Sequence, residues 1–363
     1  PAVARAVRLN YHPYEQVRLR LRQYVAMGYK PSKVELIIMG GTFPAMPLDY
    51  QEWVVAQALE ALNRFPEGPP GSWVGLEEAM RRNETAKIRC VGLTIETRPD
   101  WCREEHVDWF LHLGATRVEL GVQTIYDDVL ARARRGHGVK ESIEATRYLK
   151  DAGYKVTYHM MLGLPGSDPD MDFEAFREIY SNSDFMPDAV KIYPTVVVPS
   201  SDLYELWRRG EYRPYDDGTL VELLARIKAI TPPWVRVIRV QRDIPLEEVA
   251  AGPRLGNLRE VVWNRMRERG LKCRCIRCRE VGRFALWTGD APRVEDARLV
   301  RRLYEASGGV EEFISFEDPG RDVLFGFVRL RIPSDRPHRW EVDGSTALIR
   351  ELHVYGPETP VGE

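Results

Sequence analysis

The chain has 363 residues and a mass of 41.8 kDa, 44% of its residues are hydrophobic, and its net charge is −2. That length predicts two domains, and no apolar run reaches the roughly 18 to 20 residues of a membrane span or shows the pattern of an N-terminal signal, so the expectation is a globular, cytoplasmic protein with no membrane partner. The near-neutral total does not exclude nucleic acid: the 52 lysines and arginines concentrate at Arg18/Arg20/Arg22, Arg132/Arg134/Arg135, Arg236/Arg239/Arg242 and Lys272/Arg274/Arg277/Arg279, and such clusters can face phosphates while the sum stays neutral.

In chain order, apolar residues at helical spacing (Tyr14, Val17, Leu21, Tyr24) predict a helix over 9–27, ending near Gly28. The run Val34–Met39 then enters Gly40-Gly41-Thr42, the ending of a buried parallel strand whose loop brings backbone close to a ligand. A helix over 48–62, a Pro/Gly-rich break at 66–71 and a polar helix lead to a strand over 90–95. Further strands are expected at 117–121, 155–161, 189–193 and 235–240. Helices at 104–113, 126–130, 140–152, 172–181, 203–208 and 220–230 separate them. This alternation predicts a parallel sheet with right-handed crossovers. Polar or glycine residues recur at the strands' carboxyl ends (Thr42, Glu96, Glu119, Gln123, His159, Gln241), which favours an (α/β) barrel, where that edge is the mouth, over an open doubly wound sheet.

A basic helix over 257–269 precedes LKCRCIRCREVG. Five cysteines, an odd number, make no secreted disulfide framework, but Cys273, Cys275 and Cys278 are close enough for three thiolates to reach one metal ion, with zinc the expected occupant. The fourth ligand is not local, and Cys102, His106 and His353 are candidates for it. After residue 293 the character changes: a helix over 294–307, then strands at 312–317, 323–331 and 347–355 with a turn at Asp318-Pro319-Gly320, predict a second, smaller domain built as an antiparallel meander.

Taken in order, MGGTF, GLTIETRPDWC, ELGVQT, RRGH, KDAGYKVTYHMMLGLPGSD, KIYPT, LYELW, PPWVRVIRVQRDIP, GNLRE, CRCIRCREVG, FISFEDP and RELHVYG resemble the catalytic subunit of Elongator and its single-chain archaeal and bacterial relatives. The resemblance covers essentially the whole chain. It implies an α/β fold in which a partial TIM-like radical S-adenosylmethionine barrel (1–255) is joined through a cysteine-bearing zinc linker (256–290) to the N-terminal part of an α+β GCN5-related acetyltransferase domain (291–363).

The function so implied is carboxymethylation of the wobble uridine of tRNA. Acetyl-CoA would supply the two-carbon unit, and a 5′-deoxyadenosyl radical from S-adenosylmethionine and a 4Fe–4S cluster would draw hydrogen from the acetyl methyl, the carbon radical adding to the uracil ring. The family's C-x9-C-x2-C cluster loop and the acetyltransferase's glycine-rich turn are not in these 363 residues. The expectation is therefore an internal fragment, with catalytic residues in absent segments, that binds tRNA but does not complete the radical reaction alone.

By the same resemblance, Gly40, Gly41, Thr42, Glu119, Gln123 and His159 are expected at S-adenosylmethionine, and the strand Glu351, Leu352, His353, Val354, Tyr355 and Gly356 along the pantetheine arm of acetyl-CoA. Arg18, Arg22, Arg134, Arg135, Arg239, Arg242, Lys272, Arg274 and Arg277 are expected at the tRNA anticodon region, since anticodon loops are read by stacking on aromatics or arginine with phosphates held by Arg and Lys. A homodimer or Elongator-type partner subunits both stay open. Two other readings compete: a protein lysine acetyltransferase, and a zinc-stapled tRNA-binding platform with a vestigial barrel.

Overall fold

The computed structural model describes residues 2–69, 72, 74–241, 244–290 and 292–356. The chain forms two compact units, the first spanning Pro1–Thr97 and Glu104–Val118, the second Arg98–Arg103 and Glu119–Gly356.

In the first unit, helices α1 (Ala2–Arg8) and α2 (Pro13–Ala26) replace the single helix expected over 9–27. Asn10 and Tyr11 take positive φ (48° and 58°) and Pro13 starts the second helix, which a fixed φ and a missing N–H suit. Strand β1 (Lys33–Ile38), helices α3 (Leu48–Arg64) and α4 (Leu76–Asn83), strand β2 (Arg89–Thr97) and helix α5 (Glu104–His112) follow. β1 and β2 are parallel, Leu36 lying opposite Leu93 and Ile38 opposite Ile95. Leu21, Leu62 and Ile88 form a buried cluster, with Val34 and Leu36 packed on it.

Strand β3 (Arg117–Gln123) leads into the second unit. Helices α6 (Asp127–Arg132) and α7 (Val139–Asp151), strand β4 (Lys155–Leu162), helix α8 (Pro169–Ser181), strand β5 (Ala189–Pro194), helices α9 (Asp202–Arg208) and α10 (Asp217–Ala229) and strand β6 (Arg236–Arg239) succeed it. α8 begins three residues earlier than its apolar pattern suggests, because the Asp168 carboxylate caps it, accepting from the Asp170 and Met171 amides, and Pro169 occupies the first turn. Neighbours in the sheet follow chain order, β1-β2-β3-β4-β5-β6. A doubly wound sheet reverses order at a switch point; the unbroken order is that of an (α/β) barrel, as the sequence indicates.

Helices α11 (Leu258–Glu268), α12 (Ile276–Arg279) and α13 (Val281–Thr288) carry the chain to strands β7 (Arg298–Ala306), β8 (Gly309–Asp318), β9 (Val323–Ile332) and β10 (Leu348–Val354). These form a second, antiparallel sheet in the order β10-β9-β8-β7. The helix expected over 294–307 is a correction: only Val294–Asp296 is helical, as one 3-10 turn, and Arg298–Ala306 is a strand paired residue for residue with β8. Ser307 and Gly308, at φ 49° and 73°, make the two-residue left-handed turn that closes this hairpin.

One face of the antiparallel sheet packs within the second unit through a buried set of opposite charges. Arg350 donates to both Asp188 oxygens (2.7 and 2.8 Å), to Glu311 (2.6 Å) and to the Tyr154 carbonyl. Arg331 reaches Asp151 at 2.6 Å and Glu311 at 3.1 Å, and Arg329 reaches Glu351 at 2.9 Å and the Trp234 carbonyl at 2.6 Å. Lys150 lies 3.6 Å from both Asp188 and Glu311. Four cations (Lys150, Arg329, Arg331, Arg350) thus meet four anions (Asp151, Asp188, Glu311, Glu351), so charges too costly to bury singly are balanced.

Candidate active site and metal centre

At the carboxyl end of β1, Gly40 and Gly41 take φ 105° and 49°, and a Cβ on either would meet nothing within 4 Å. Glycine is required there by conformation, and the space beside the backbone is open. The strand before it, expected to be buried, is a correction: β1 alternates between exposed and half-buried residues, with Ile37 42% exposed.

In the second unit, β3, β4 and β5 bring three charged or polar side chains together. Glu119 Oε2 is 2.7 Å from His159 Nε2 and is also bound by the Lys191 ammonium. His159 and Lys191 are register partners across β4 and β5, which sets them at one level of the sheet. Burial disfavours the Glu119 anion, but the His159 hydrogen bond and the Lys191 charge outweigh it and hold the carboxyl at about 2. Its other oxygen, Oε1, is buried without a hydrogen-bond partner among the described residues, an acceptor left for a hydroxyl or amine. Tyr193 meets the His159 ring edge to face at 5.5 Å. Gln123 ends β3 at φ 69°, where Thr124 N bonds back to Val122 O in a tight turn that non-glycine residues rarely adopt. Sequence reasoning assigns Lys191 no role; its signal is a lysine in the middle of the strand AVKIYP, every residue of which is buried.

The cysteine segment starts against β6: Ile276 N bonds Val235 O, and Arg279, 2% exposed, forms ion pairs with Asp322 (2.9 Å) and with Glu317 on β8. Ile276 joins Phe313, Leu324 and Phe327 in a buried cluster. This folding gathers Cys273, Cys275 and Cys278 so that their sulfurs lie within 4.8 Å of one another. Cys275, bonded by the other two thiols, is held well below the usual thiol value. The spacing and the soft donors fit a divalent metal at the ~2.3 Å of a Zn–S bond. No fourth Cys, His, Asp or Glu joins the group among the described residues, so Cys102, His106 and His353 are not its ligands; His353 packs on Tyr355 and Phe327 instead. The side chain that does approach is Lys228 of α10, 2% exposed, its Nζ 3.5 Å from Cys273 Sγ and 3.8 Å from Cys278 Sγ.

Beside the triad lies a cavity of about 690 Å³ walled by Arg239, Arg259, Arg277, Arg283, Trp263 and Trp287. Burial, together with the nearby Arg259, Arg283 and Arg236, lowers the Arg277 guanidinium to about 10, against the smaller opposing effect of Glu280, which also pairs with Arg236 and Arg283. Arg239 and Arg277 were expected at nucleic acid. Arg259 and Arg283 were not, and only the packing of α11 against α13 adds them. The other expected arginines are dispersed: Arg18 pairs with Glu15, Arg22 is exposed, Arg134 is 81% exposed and pairs with Asp202, and Arg274 pairs with Asp322. Arg135 is half-buried, Lys272 is exposed, and Arg242 lies outside the described residues.

The strand expected at acetyl-CoA is β10 with Tyr355 and Gly356. It is the terminal strand of its sheet, so one of its backbone edges meets no strand among the described residues. Glu351 and Tyr355 face inward, to Arg329 and Arg236, while Leu352 and Val354 are 69% and 78% exposed.

A six-stranded parallel sheet in unbroken chain order fits a radical S-adenosylmethionine domain. Family models agree: the Radical SAM superfamily matches residues 7–178 and the Radical_SAM C-terminal domain residues 187–268. The solved Methanocaldococcus infernus Elp3 with N-terminal deletion of residues 1–46 superposes with a TM-score of 0.93 at 50% identity, over 98% of this chain and 82% of that one. The tRNA uridine(34) acetyltransferase of Methanocaldococcus jannaschii is 50% identical over 361 residues, and Elongator complex protein 3 of Schizosaccharomyces pombe 46% identical over 362, each alignment covering 99% of this chain. The chain belongs to the family of Elongator complex protein 3. It spans 65% of the length of these two curated relatives.

Proposed function

We propose that the chain carries the barrel and the tRNA-reading surface of a tRNA uridine(34) acetyltransferase, a transferase that builds a 5-carboxymethyl group on the wobble uridine from acetyl-CoA. The observation that carries this reading is the cavity in which four arginines and two tryptophans stand together. Guanidinium groups hold phosphates and indoles stack bases, the pairing that single-stranded loops require. We assign residues 1–255 to the barrel, 256–290 to the metal-bearing linker and 291–363 to the first part of the acetyltransferase domain, with the open edge of β10 at Glu351–Gly356 offered to acetyl-CoA as a strand partner.

Gly40, Gly41 and Thr42 fit S-adenosylmethionine through exposed backbone, and Glu119 fits it through its unpartnered Oε1. Lys191 and His159 fix that carboxylate as an anion and leave one oxygen directed to the ligand. The superfamily's iron–sulfur cluster, which supplies one-electron chemistry to bound S-adenosylmethionine, finds no second cysteine triad among the described residues. Zinc at Cys273, Cys275 and Cys278 would brace the segment between β6 and β8. No described helix is long and apolar enough to cross a membrane.

The test is tRNA binding by fluorescence anisotropy across a salt series, with coenzyme A release from acetyl-CoA followed in parallel. Replacing Arg277 and Arg283 by Ala should weaken binding uniformly across tRNA sequences and reduce the salt slope by about 0.7–0.9 for each phosphate no longer neutralised. Unchanged affinity and slope in the double variant would remove the cavity from the tRNA surface. Coenzyme A release indifferent to tRNA would remove the acetyltransferase coupling.

A further inference from the structure

The cysteine centre has one feature that three thiolates alone do not explain: a lysine, nine-tenths buried, whose ammonium sits against two of the sulfurs. Three thiolates around a divalent metal carry a net charge of −1, and a buried net charge is costly unless a partner neutralises it. The Lys228 ammonium, at N–H···S distance from both Cys273 and Cys278, supplies one positive charge and two donors to the sulfur lone pairs. The triad has a closed side and an open side. Cys275 is fully buried, whereas Cys278 and Lys228 both line the 690 Å³ cavity.

Resting on the reading that the triad holds a divalent metal, we propose that it is a three-thiolate site, charge-balanced by Lys228, whose fourth position is open to the cavity and takes an exchangeable anionic ligand, a thiolate in particular. Structural zinc sites are closed by four protein ligands, and an open position is the property of sites that bind or activate something else. Here no fourth Cys, His, Asp or Glu is gathered among the described residues, and the cavity wall beside Cys278, rich in arginine, favours an incoming anion over a cation. An incoming thiol binds as thiolate, passes its proton to solvent and displaces water, with no change of oxidation state.

Cobalt replaces zinc with little change of geometry and reports its ligands by absorption. Metal-stripped protein titrated anaerobically with Co²⁺ should give charge-transfer intensity for three thiolates, and 2-mercaptoethanol should then raise it by one third and shift the visible bands. Lys228→Met should weaken Co²⁺ and Zn²⁺ binding by about 10–100-fold, the usual loss for an outer partner of a metal ligand, while Lys228→Arg restores most of it by keeping charge and donors. Visible bands indifferent to 2-mercaptoethanol would show a fourth ligand from the protein and overturn the open position. Lys228→Met binding metal as tightly as the parent, or Lys228→Arg failing to rescue a folded protein because the amine is itself a ligand, would overturn the role given to Lys228. If the Met variant does not fold, the thiolate count and thiol response of the parent decide the open position, and Lys228→Arg decides the lysine. Failure of the parent to bind Co²⁺ at all would overturn the metal reading beneath the proposal.

Discussion

Asp172, 2% exposed, accepts hydrogen bonds from the Gly163 amide (2.7 Å) and the Tyr215 hydroxyl (2.8 Å), and so pins the loop that leaves β4. Burial outweighs those bonds and raises its carboxyl to about 6. An unfolded aspartate ionises near 3.9, so between about pH 4 and 6 the folded chain keeps a proton that the unfolded chain has released, and stability falls as pH rises through that window. Asp172→Asn keeps an acceptor for Gly163 and removes the titration. In urea unfolding the parent should lose about 2–3 kcal/mol relative to the variant between pH 4 and pH 7; parallel pH dependences in the two would clear Asp172. The sequence hides this residue because an acid in a helical stretch reads as solvated, and its burial is set by Tyr215 and Gly163, neither adjacent in sequence. Glu119 and His159 were legible as polar residues in the carboxyl-terminal stretches of short apolar runs, although the structure places both inside β3 and β4, whereas Lys191, one strand further on, was hidden by the assumption that buried strands are apolar.

At the scale of elements, the barrel was readable because each strand is a short apolar run closed by turn residues. β7 was not. Leu299 and Leu303, and Val300 and Tyr304, repeat at intervals of four, which suits a helix and a strand alike because four is also a multiple of two. In the structure Leu299 and Leu303 are exposed on one face, at 67% and 65%, while Val300 and Tyr304 turn inward, and the Ser307-Gly308 turn decides for the strand. The hairpin's close spacing gives a test. A Cβ on Gly309 would lie 2.5 Å from the Ile332 carbonyl and 2.9 Å from the Arg331 guanidinium. Gly309→Ala should therefore cost about 1–3 kcal/mol in chemical denaturation, and loss of amide protection in β8 and β9 should accompany it. Full stability in this variant would mean that the hairpin end relaxes freely.

Across the second unit, the buried charges that seat the antiparallel sheet behave as one body. Arg350→Met leaves Asp188 and Glu311 short of their main cation and should lower stability by about 3–5 kcal/mol, read as a shift of the urea midpoint at unchanged slope. A loss under about 1 kcal/mol would show that water or Lys150 takes over. The same network has a kinetic consequence. Sheet neighbours β1 to β6 succeed one another in the chain, so each strand finds its predecessor already in place, whereas Arg350 must reach Tyr154 across 196 residues, Ser334 must reach Asp151 across 183, and Arg350 must reach Asp188 across 162. Closing such long loops before any reward is gained is slow. During refolding, pulse-labelled amides of β4 and β5 should gain protection before those of β9 and β10, and on the ribosome the barrel strands should be assembled while the residues that lock the second sheet to them are still being made.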